Sequence, residues 1–238
     1  PAEPAPAVTL TDWDPEGERK VAAAALYAVS ELPDRQLARM VDEMSDEERL
    51  SLIAALVGER SNRRHKPGRA MERTTYRFDV VCDFGAFRDL QRHRLMTIEW
   101  QRLGTRLGFD LPDDLVEAGV KERFIRVMDE AGVLYERLRG ELGPDVAQYA
   151  VPFAYNIRFV MEMNARQAFH LLELRTQPAG HPTYRAVCAE MHRQIAEVAG
   201  HRTLAAAMTY VDYGSVDLER LEGERRAAAR REASAATV

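Results

Sequence analysis

The segment RDLQRHRLMT, residues 88–97, is the stretch around which the predicted fold is arranged, because it concentrates three arginines, an aspartate and a histidine. A guanidinium group is always charged, and its planar fork fits phosphate or carboxylate with two hydrogen bonds. We predict a helix here, on which Asp89 and His93 share a face, so that the carboxylate can orient the imidazole. Arg92 and Arg94 point in different directions on such a helix. They are therefore expected to serve two different ligands or two different chains.

Composition indicates a globular protein. The chain has 238 residues, 46% of them apolar, and a net charge of −5, which argues against a polycation that binds nucleic acid. Cys82 and Cys188 lie in apolar surroundings and are interpreted as buried free thiols of a reducing cytosol. No apolar run approaches the roughly 20 residues of a membrane span, and we expect no signal peptide. The sequence therefore predicts a cytoplasmic protein, and we predict no metal site.

Three regions are predicted along the chain. Residues 1–7 form a proline-rich arm or linker, residues 8–215 a single α+β domain, and residues 216–238 a charged, alanine-rich helical tail. Within the domain, residues 120–142 carry the longest amphipathic pattern, which is typical of a helix packed on a core.

Start signals for three helices lie in the first quarter of the chain. Asp14 is a candidate N-cap with Pro15 at the first helical position, and a second helix is expected to follow Pro33. Ser45 and Glu48 have the spacing of a capping box. These helices are expected to pack as one layer, and no chemistry is visible in them.

Two apolar segments, residues 74–84 and 151–163, alternate with the period of a strand. Gly85 is expected to end the first strand. After the second, Asn164 is a candidate N-cap for a helix that extends to Arg175. On one helix these two residues would share a face about 16 Å apart, which suits a ligand lying along it. An ordinary cap and a surface arginine remain an equally good interpretation.

Residues 59–69, ERSNRRHKPGR, are called the basic loop here. Pro67 and Gly68 predict a turn, and the arginines supply positive charge. Two interpretations remain open, a solvated surface loop and an anion-binding loop.

At two motifs the chain resembles the flavin-dependent thymidylate synthases, the ThyX family. The RHR triplet at 92–94 is followed by Thr97 at the family's hydroxyl position, and Asn164-x-Arg166 is followed by Leu-Arg ending at Arg175. The chain is similar to the second half of tandem ThyX-like proteins, as a divergent member. The resemblance implies an α+β ThyX-like fold, with a central antiparallel sheet, flanking helices and a helical N-terminal layer.

The resemblance also implies roles for individual residues. FAD would contact Arg92, His93, Arg94, Thr97, Asn164, Arg166, His170 and His181. The nucleotide would contact Asp89, Arg92, Gln148 and Arg175. The catalytic role falls to Arg175, which would stabilise charge developing on the pyrimidine.

Several positions depart from the family's pattern. Arg73 stands where the family has a histidine that touches the flavin, Asp89 where it has glutamine, and Gln148 where it has arginine. His170 replaces an asparagine, and residues 99–102 do not match the family's Asn-Glu-x-Ser. The substrate-contacting part of the motif is thus altered, which bears directly on activity.

Three hypotheses about function remain open. The first is methylation of dUMP to dTMP, or of a related pyrimidine nucleotide, with FAD, a folate one-carbon donor and NADPH, in a homo-oligomer (dimer or tetramer). The second is a catalytically inactive ThyX-fold subunit that binds flavin or nucleotide, or supports a partner ThyX-like half. The third is an RNA-binding α+β domain, which would need exposed aromatic rings for stacking. Tyr76 and Phe78 are instead expected in the core.

Overall fold

The structure, a computed structural model, describes residue 3 and residues 5–214. The predicted tail at 216–238 lies outside the described residues. The strands are β1 (Val8–Trp13), β2 (Thr75–Asp83), β3 (Thr97–Trp100) and β4 (Asn156–Asn164). The helices are α1 (Gly17–Tyr27), α2 (Asp34–Glu43), α3 (Asp46–Val57), α4 (Phe84–Leu90), α5 (Asp113–Glu117), α6 (Lys121–Leu142), α7 (Pro144–Ala147), α8 (Ala165–Arg175), α9 (Pro182–Glu197) and α10 (Arg202–Ala207). Short 3-10 helices occupy Arg69–Arg73 and Gln148–Ala150.

The described residues form two compact units. One contains the residues up to Asp14 together with Thr75–Asn164, and the other contains Pro15–Thr74 together with the residues from Ala165 onward. The first unit holds the sheet, and the second holds α1–α3 and α8–α10. The α+β class with a central antiparallel sheet and a helical N-terminal layer, as predicted, is confirmed.

The sheet has the order β1-β2-β4-β3, and each neighbouring pair is antiparallel. Alternate residues of β2 are buried because successive side chains point to opposite faces of the sheet. Tyr76, Phe78 and Val80 are fully buried, and Val80 lies opposite Phe159 of β4. The predicted first strand is therefore confirmed within one residue at each end.

Two strands were not predicted. β1 pairs with β2, and β3 pairs with β4, although neither has the long apolar alternation of the central strands. The helix predicted for residues 88–97 does not reach Thr97, because Thr97–Trp100 forms an edge strand instead.

The second predicted strand begins later than expected. Residues 151–155 form a turn, in which the N–H of Tyr155 donates to the carbonyl of Pro152 (3.1 Å), and Phe153 is 62% exposed. β4 begins at Asn156 and ends at Asn164, so Asn164 belongs to the strand that directly precedes α8.

One predicted helix start has the expected cap, whereas the first helix and the end of the first predicted strand are shifted along the chain. The capping box is present, since the hydroxyl of Ser45 accepts from the N–H of Glu48 and the Glu48 carboxylate accepts from the N–H of Ser45. The first helix begins at Gly17, after the predicted Asp14 cap. The first predicted strand, β2, ends at Asp83, two residues before Gly85, which was expected to end it. Gly85 lies inside α4, whose start at Phe84 is capped by the Asp83 carboxylate, which accepts from the N–H of Ala86 (2.7 Å).

The long amphipathic helix is confirmed as α6. Met128 and Tyr135 are buried on its inner side, where the hydroxyl of Tyr155 donates to the carbonyl of Met128 (2.7 Å). Within the described part of the chain, no helix has the length and apolar character that crossing a membrane would need.

Candidate functional site

The RHR triplet lies outside the helix that was predicted for it. α4 ends at Leu90, where the N–H of His93 donates to the Leu90 carbonyl (3.1 Å) in a tighter turn. This turn buries the His93 side chain, which is 7% exposed, and leaves Arg92 and Arg94 exposed. The predicted helical spacing of Asp89 and His93 ends with α4 at Leu90, and Oδ1 of Asp89 lies 3.5 Å from Nε of Arg92.

Three further predicted residues lie in the first unit. Thr97 is the exposed first residue of β3 and lies opposite Glu162. Asn164 is the last residue of β4 and lies opposite Thr75. Gln148 uses its side-chain oxygen to accept the N–H of Leu103 (3.0 Å), so its amide has a structural partner.

Arg166 of the second unit is oriented by two partners. Its Nε donates to the carbonyl of Pro67 (3.1 Å), and its Nη1 lies 3.2 Å from Oε1 of Glu72. The guanidinium thus joins α8 to the basic loop and to the adjoining 3-10 helix. Sequence resemblance had already singled out Arg166, but not these partners.

Arg175 and Arg166 project from different sides of α8. At about 100° per residue, nine residues bring the helix about 180° from its starting direction, whereas His170 and Glu173 lie within roughly 40° of Arg166. Arg175 instead places its guanidinium over the ring of Tyr184, 5.2 Å from the centroid. Asn164 is the last residue of β4 and directly precedes α8, which is the position of the predicted N-cap.

The environment of His170 is cationic. Burial is the largest effect that lowers the pKa of His170, followed by the positive charges of Lys66, Arg63 and Arg175. The lowered pKa leaves the imidazole neutral at pH 7, where it can donate one hydrogen bond and accept another.

His181 caps a helix. It is the N-cap of α9, and its Nδ1 accepts from the N–H of Thr183 (3.4 Å). The imidazole therefore satisfies one of the otherwise unpaired N–H groups of the first helical turn.

A buried ion pair was missed by the sequence analysis. Arg60 of the basic loop donates to both carboxylate oxygens of Glu173, at 2.6 and 2.5 Å, and the two side chains are 4% and 1% exposed. The basic loop is therefore not simply solvated, because its first arginine is part of the core. Local sequence carried no signal for this pair, whose members are 113 residues apart.

Other chemistry finds little support among the described residues. No group of three or more His, Cys, Asp or Glu side chains within residues 3 and 5–214 could hold a metal ion. Burial raises the pKa of Cys188 to about 12, which keeps this thiol protonated. Tyr76 and Phe78 are both fully buried, so these rings cannot stack on bases as the RNA-binding hypothesis would need.

The predicted site residues divide between the two units. Those of the sheet unit are Asp89, Arg92, His93, Arg94, Thr97, Gln148 and Asn164, and those of the helical unit are Arg166, His170, Arg175 and His181. Within the helical unit, Arg166 and His170 share one side of α8, and Arg175 lies on the other.

Comparison with known proteins was informative at the level of family and fold. A family model described as thymidylate synthase complementing protein matches residues 9–201. UPF0159 proteins of Chlamydia muridarum and Thermoplasma acidophilum are 38% and 34% identical over 219 and 222 residues, in each case 92% of this chain. These alignments cover 41% and 44% of the relatives, so the chain spans about two-fifths of their length.

Two solved structures share the fold. The UMP/dUMP methylase PolB of Streptomyces cacaoi, bound with 5-Br dUMP, is 22% identical, with a TM-score of 0.62 over 84% of this chain and 94% of that one. The flavin-dependent thymidylate synthase ThyX of Helicobacter pylori, complexed with FAD and dUMP, is 18% identical, with a TM-score of 0.55 over 78% and 92%.

Proposed function

The chain belongs to the thymidylate synthase complementing protein family, and we propose that it is an FAD-dependent enzyme that methylates a pyrimidine nucleotide. The proposed reaction converts dUMP to dTMP, or acts on a related nucleotide, with a folate one-carbon donor and NADPH. Structures that share its fold include a protein bound to FAD and dUMP and a UMP/dUMP methylase. These ligands are the basis for the proposed cofactor and substrate class.

One observation carries the proposal. Arg166, held between Pro67 and Glu72, lies on the same side of α8 as His170, and the pKa of His170 is lowered in part by Lys66 and Arg63. This side of the helix therefore combines an oriented guanidinium, a neutral imidazole and further positive charge. Such a set of donors suits the phosphates and ring edge of a dinucleotide.

The residues present fit FAD in charge and in donor type. Arg92 and Arg94 are exposed guanidinium groups in an open loop, with Thr97 close along the chain, and they would hold phosphate-bearing ligands. Asn164, Arg166, His170 and His181 would contact the flavin as the family pattern implies. When bound, the flavin supplies the redox chemistry and carries the one-carbon unit.

Arg175 is proposed as the catalytic residue. Its guanidinium lies over the face of Tyr184, an arrangement that restricts its orientation. There it would bind the pyrimidine and stabilise the negative charge that develops during the reaction. Asp89, Arg92 and Gln148 would complete the nucleotide contacts.

The proposed assembly is a homo-oligomer, a dimer or tetramer, or a complex with a partner ThyX-like half, in the cytoplasm. The separation of Arg166 from Arg175 on α8 supports this, because each could face a different ligand or a different chain. Light scattering after size-exclusion chromatography would test it, and a monomer at micromolar concentration in the presence of FAD would argue against a homo-oligomer.

The function can be tested in two steps on the purified protein. An absorbance scan shows whether flavin is bound, and anaerobic addition of NADPH shows whether that flavin is reduced. Release of tritium from the 5-position of labelled dUMP, in the presence of methylenetetrahydrofolate, then reports methylation. An Arg193→Gln variant, which alters an exposed arginine of α9, is the matched control for Arg175→Gln. Tritium release that Arg175→Gln leaves unchanged would remove the proposed catalytic role.

A catalytically inactive subunit is the second candidate. The observation in its favour is that Gln148, at a position where the family has a nucleotide-binding arginine, bonds the backbone of Leu103. Flavin binding and reduction without any tritium release from dUMP or UMP would favour this candidate over the enzyme.

A further inference from the structure

The first arginine of the basic loop is held as a structural anchor. Besides its two bonds to Glu173, Arg60 donates from Nε to the carbonyl of His65 (2.6 Å) and from Nη2 to that of Arg63 (3.4 Å). Its guanidinium also lies over the ring of Tyr210, 5.1 Å from the centroid. The Arg60 side chain therefore binds the backbone of residues 63 and 65 of the basic loop and joins this part of the loop to Glu173 of α8.

A second attachment lies at the far end of the loop. Arg166 donates to the carbonyl of Pro67 and contacts Glu72. Arg166, His170 and Glu173 follow one another at intervals of four and three residues, which places all three on one side of α8. The basic loop is thus attached at two points of one helix face, and His170 lies between these points in the sequence.

We propose that the Arg60–Glu173 pair is a positioning device, which seats the basic loop on α8 so that Arg63 and Lys66 form a phosphate-binding site with His170. This inference rests on the proposed function only for the identity of the bound molecule, the cofactor or the nucleotide. Arg60 and Glu173 are positioning residues, since both are buried and their bonds are made within the protein.

Electrostatics explains why the loop needs such an anchor. The positive charges of Lys66, Arg63 and Arg175 all disfavour a positive charge on His170, and together they lower its pKa beyond the effect of burial. Arg63 and Lys66 are two of the five Arg and Lys residues of the basic loop, and the bonds of Arg60 to Glu173 and of Arg166 to Pro67 hold this loop against α8. A phosphate bound between these positive charges and His170 would reverse the sign of this interaction.

The cost of burial supports a positioning role over a purely stabilising one. Taking both charges out of water costs free energy that a buried ion pair often fails to recover, and apolar residues of similar size frequently serve stability as well. Arg60 directs its remaining donors to loop carbonyls, which apolar replacements could not bind.

The test uses ligand-free protein and inorganic pyrophosphate as the probe. In Arg60→Lys the charge remains but the planar fork is lost. We expect the pKa of His170, followed by NMR, to rise toward its ordinary value, and pyrophosphate affinity, measured by calorimetry, to fall about threefold to tenfold. Arg63→Gln and Lys66→Gln should produce the same two changes from the loop side, whereas Arg193→Gln should produce neither.

Two results would overturn the proposal. One is a folded Arg60→Lys protein whose His170 pKa and pyrophosphate affinity equal those of the wild type. The other, which decides the matter if Arg60→Lys does not fold, is that Arg63→Gln and Lys66→Gln change neither quantity. Because neither readout involves FAD, dUMP or turnover, a failure of the proposed function would leave this test intact.

Discussion

The Nη1 atom of Arg166 lies 3.2 Å from Oε1 of Glu72, which joins the start of α8 to the 3-10 helix that follows the basic loop. The hydrogen bond from Arg69 is the largest effect that lowers the pKa of Glu72, and the charge of Arg166 contributes further. Glu72 is therefore ionised at neutral pH. The guanidinium of Arg166 is held in one orientation before any ligand arrives, which reduces the ordering that binding requires.

Replacing Arg166 should weaken flavin binding. In Arg166→Ala, we expect the affinity for FAD to fall by about 1.5–3 kcal/mol, the scale of one charge-assisted hydrogen bond. Fluorescence titration of the apoprotein with FAD measures this change. Arg193→Ala, an exposed arginine in the same unit, should titrate like the wild type. Equal midpoints for Arg166→Ala and the wild type would contradict the assignment.

Replacing Arg92 should also weaken flavin binding. Its side chain is 74% exposed and lies 3.5 Å from a carboxylate oxygen of Asp89, so it is available to a phosphate at little structural cost. We expect Arg92→Ala to reduce FAD affinity by about 1.5–3 kcal/mol. Arg88→Ala, four residues earlier on α4, is the control, because Arg88 lies over the ring of Phe84 and has no predicted ligand role. If both variants weaken FAD binding equally, the loss comes from removing any positive charge in this region, and a specific contact of Arg92 is contradicted.

Breaking the buried ion pair should destabilise the protein strongly. Glu173→Ala leaves the guanidinium of Arg60 buried without its carboxylate, for which we expect a loss of about 3–5 kcal/mol in the free energy of unfolding. Urea denaturation followed by circular dichroism measures it. The double variant Arg60→Met with Glu173→Leu should recover most of that loss, because no charge remains buried. A Glu173→Ala midpoint close to that of the wild type would show that the pair is solvated.

A close approach at the start of α1 should make Gly17 intolerant of a side chain. A Cβ atom at Gly17 would overlap the hydroxyl of Thr74 and come within 2.5 Å of Cε1 of His201. Gly17→Ala should therefore cost about 1–3 kcal/mol of stability. Gly140, within α6, has nothing within 4 Å of the same position, so Gly140→Ala should stabilise by up to about 1 kcal/mol. Thermal unfolding of the two variants should shift in opposite directions.

Acid should destabilise the helical unit through His192. Burial is the largest effect on this imidazole and lowers its pKa, although a bond of its Nε2 to the carbonyl of Ala205 (2.9 Å) opposes the shift. As pH falls below the unfolded value of about 6.5, the unfolded chain takes up a proton first, so stability declines until the pH passes the lower folded pKa. His192→Gln should lose less stability than the wild type between pH 7.5 and 5.5 in urea denaturation. Parallel losses in both proteins would assign the acid sensitivity to other groups.

Local patterns in the sequence predicted much of the fold. Ser45 and Glu48 announced α3 because a capping box needs only neighbours within one helical turn. The alternation through Tyr76 and Phe78 predicted β2 because a strand that is buried on one face repeats every second residue. The edge strand Thr97–Trp100 was not predicted, because four residues are too few to show a strand pattern and the strand is defined by its pairing with β4.

The residues of the candidate site followed from family motifs, but their arrangement did not. Helical spacing around the RHR triplet predicted a helix through residues 88–97, whereas the structure ends that helix at Leu90 and buries His93 in the turn that follows. The helical spacing from Asn164 to Arg175 likewise gave no sign that Asn164 would also be the last residue of a strand.

By itself, then, the sequence determined the family, the α+β class and the identity of the residues that are candidates for binding FAD and nucleotide. Only the tertiary structure decided that Arg60 of the basic loop meets Glu173, 113 residues further on, and that Arg166 meets Glu72. The reason is physical. Periodicity and capping arise from residues within a turn or two of one another, whereas an ion pair between distant segments exists only after the chain has brought them together and excluded water.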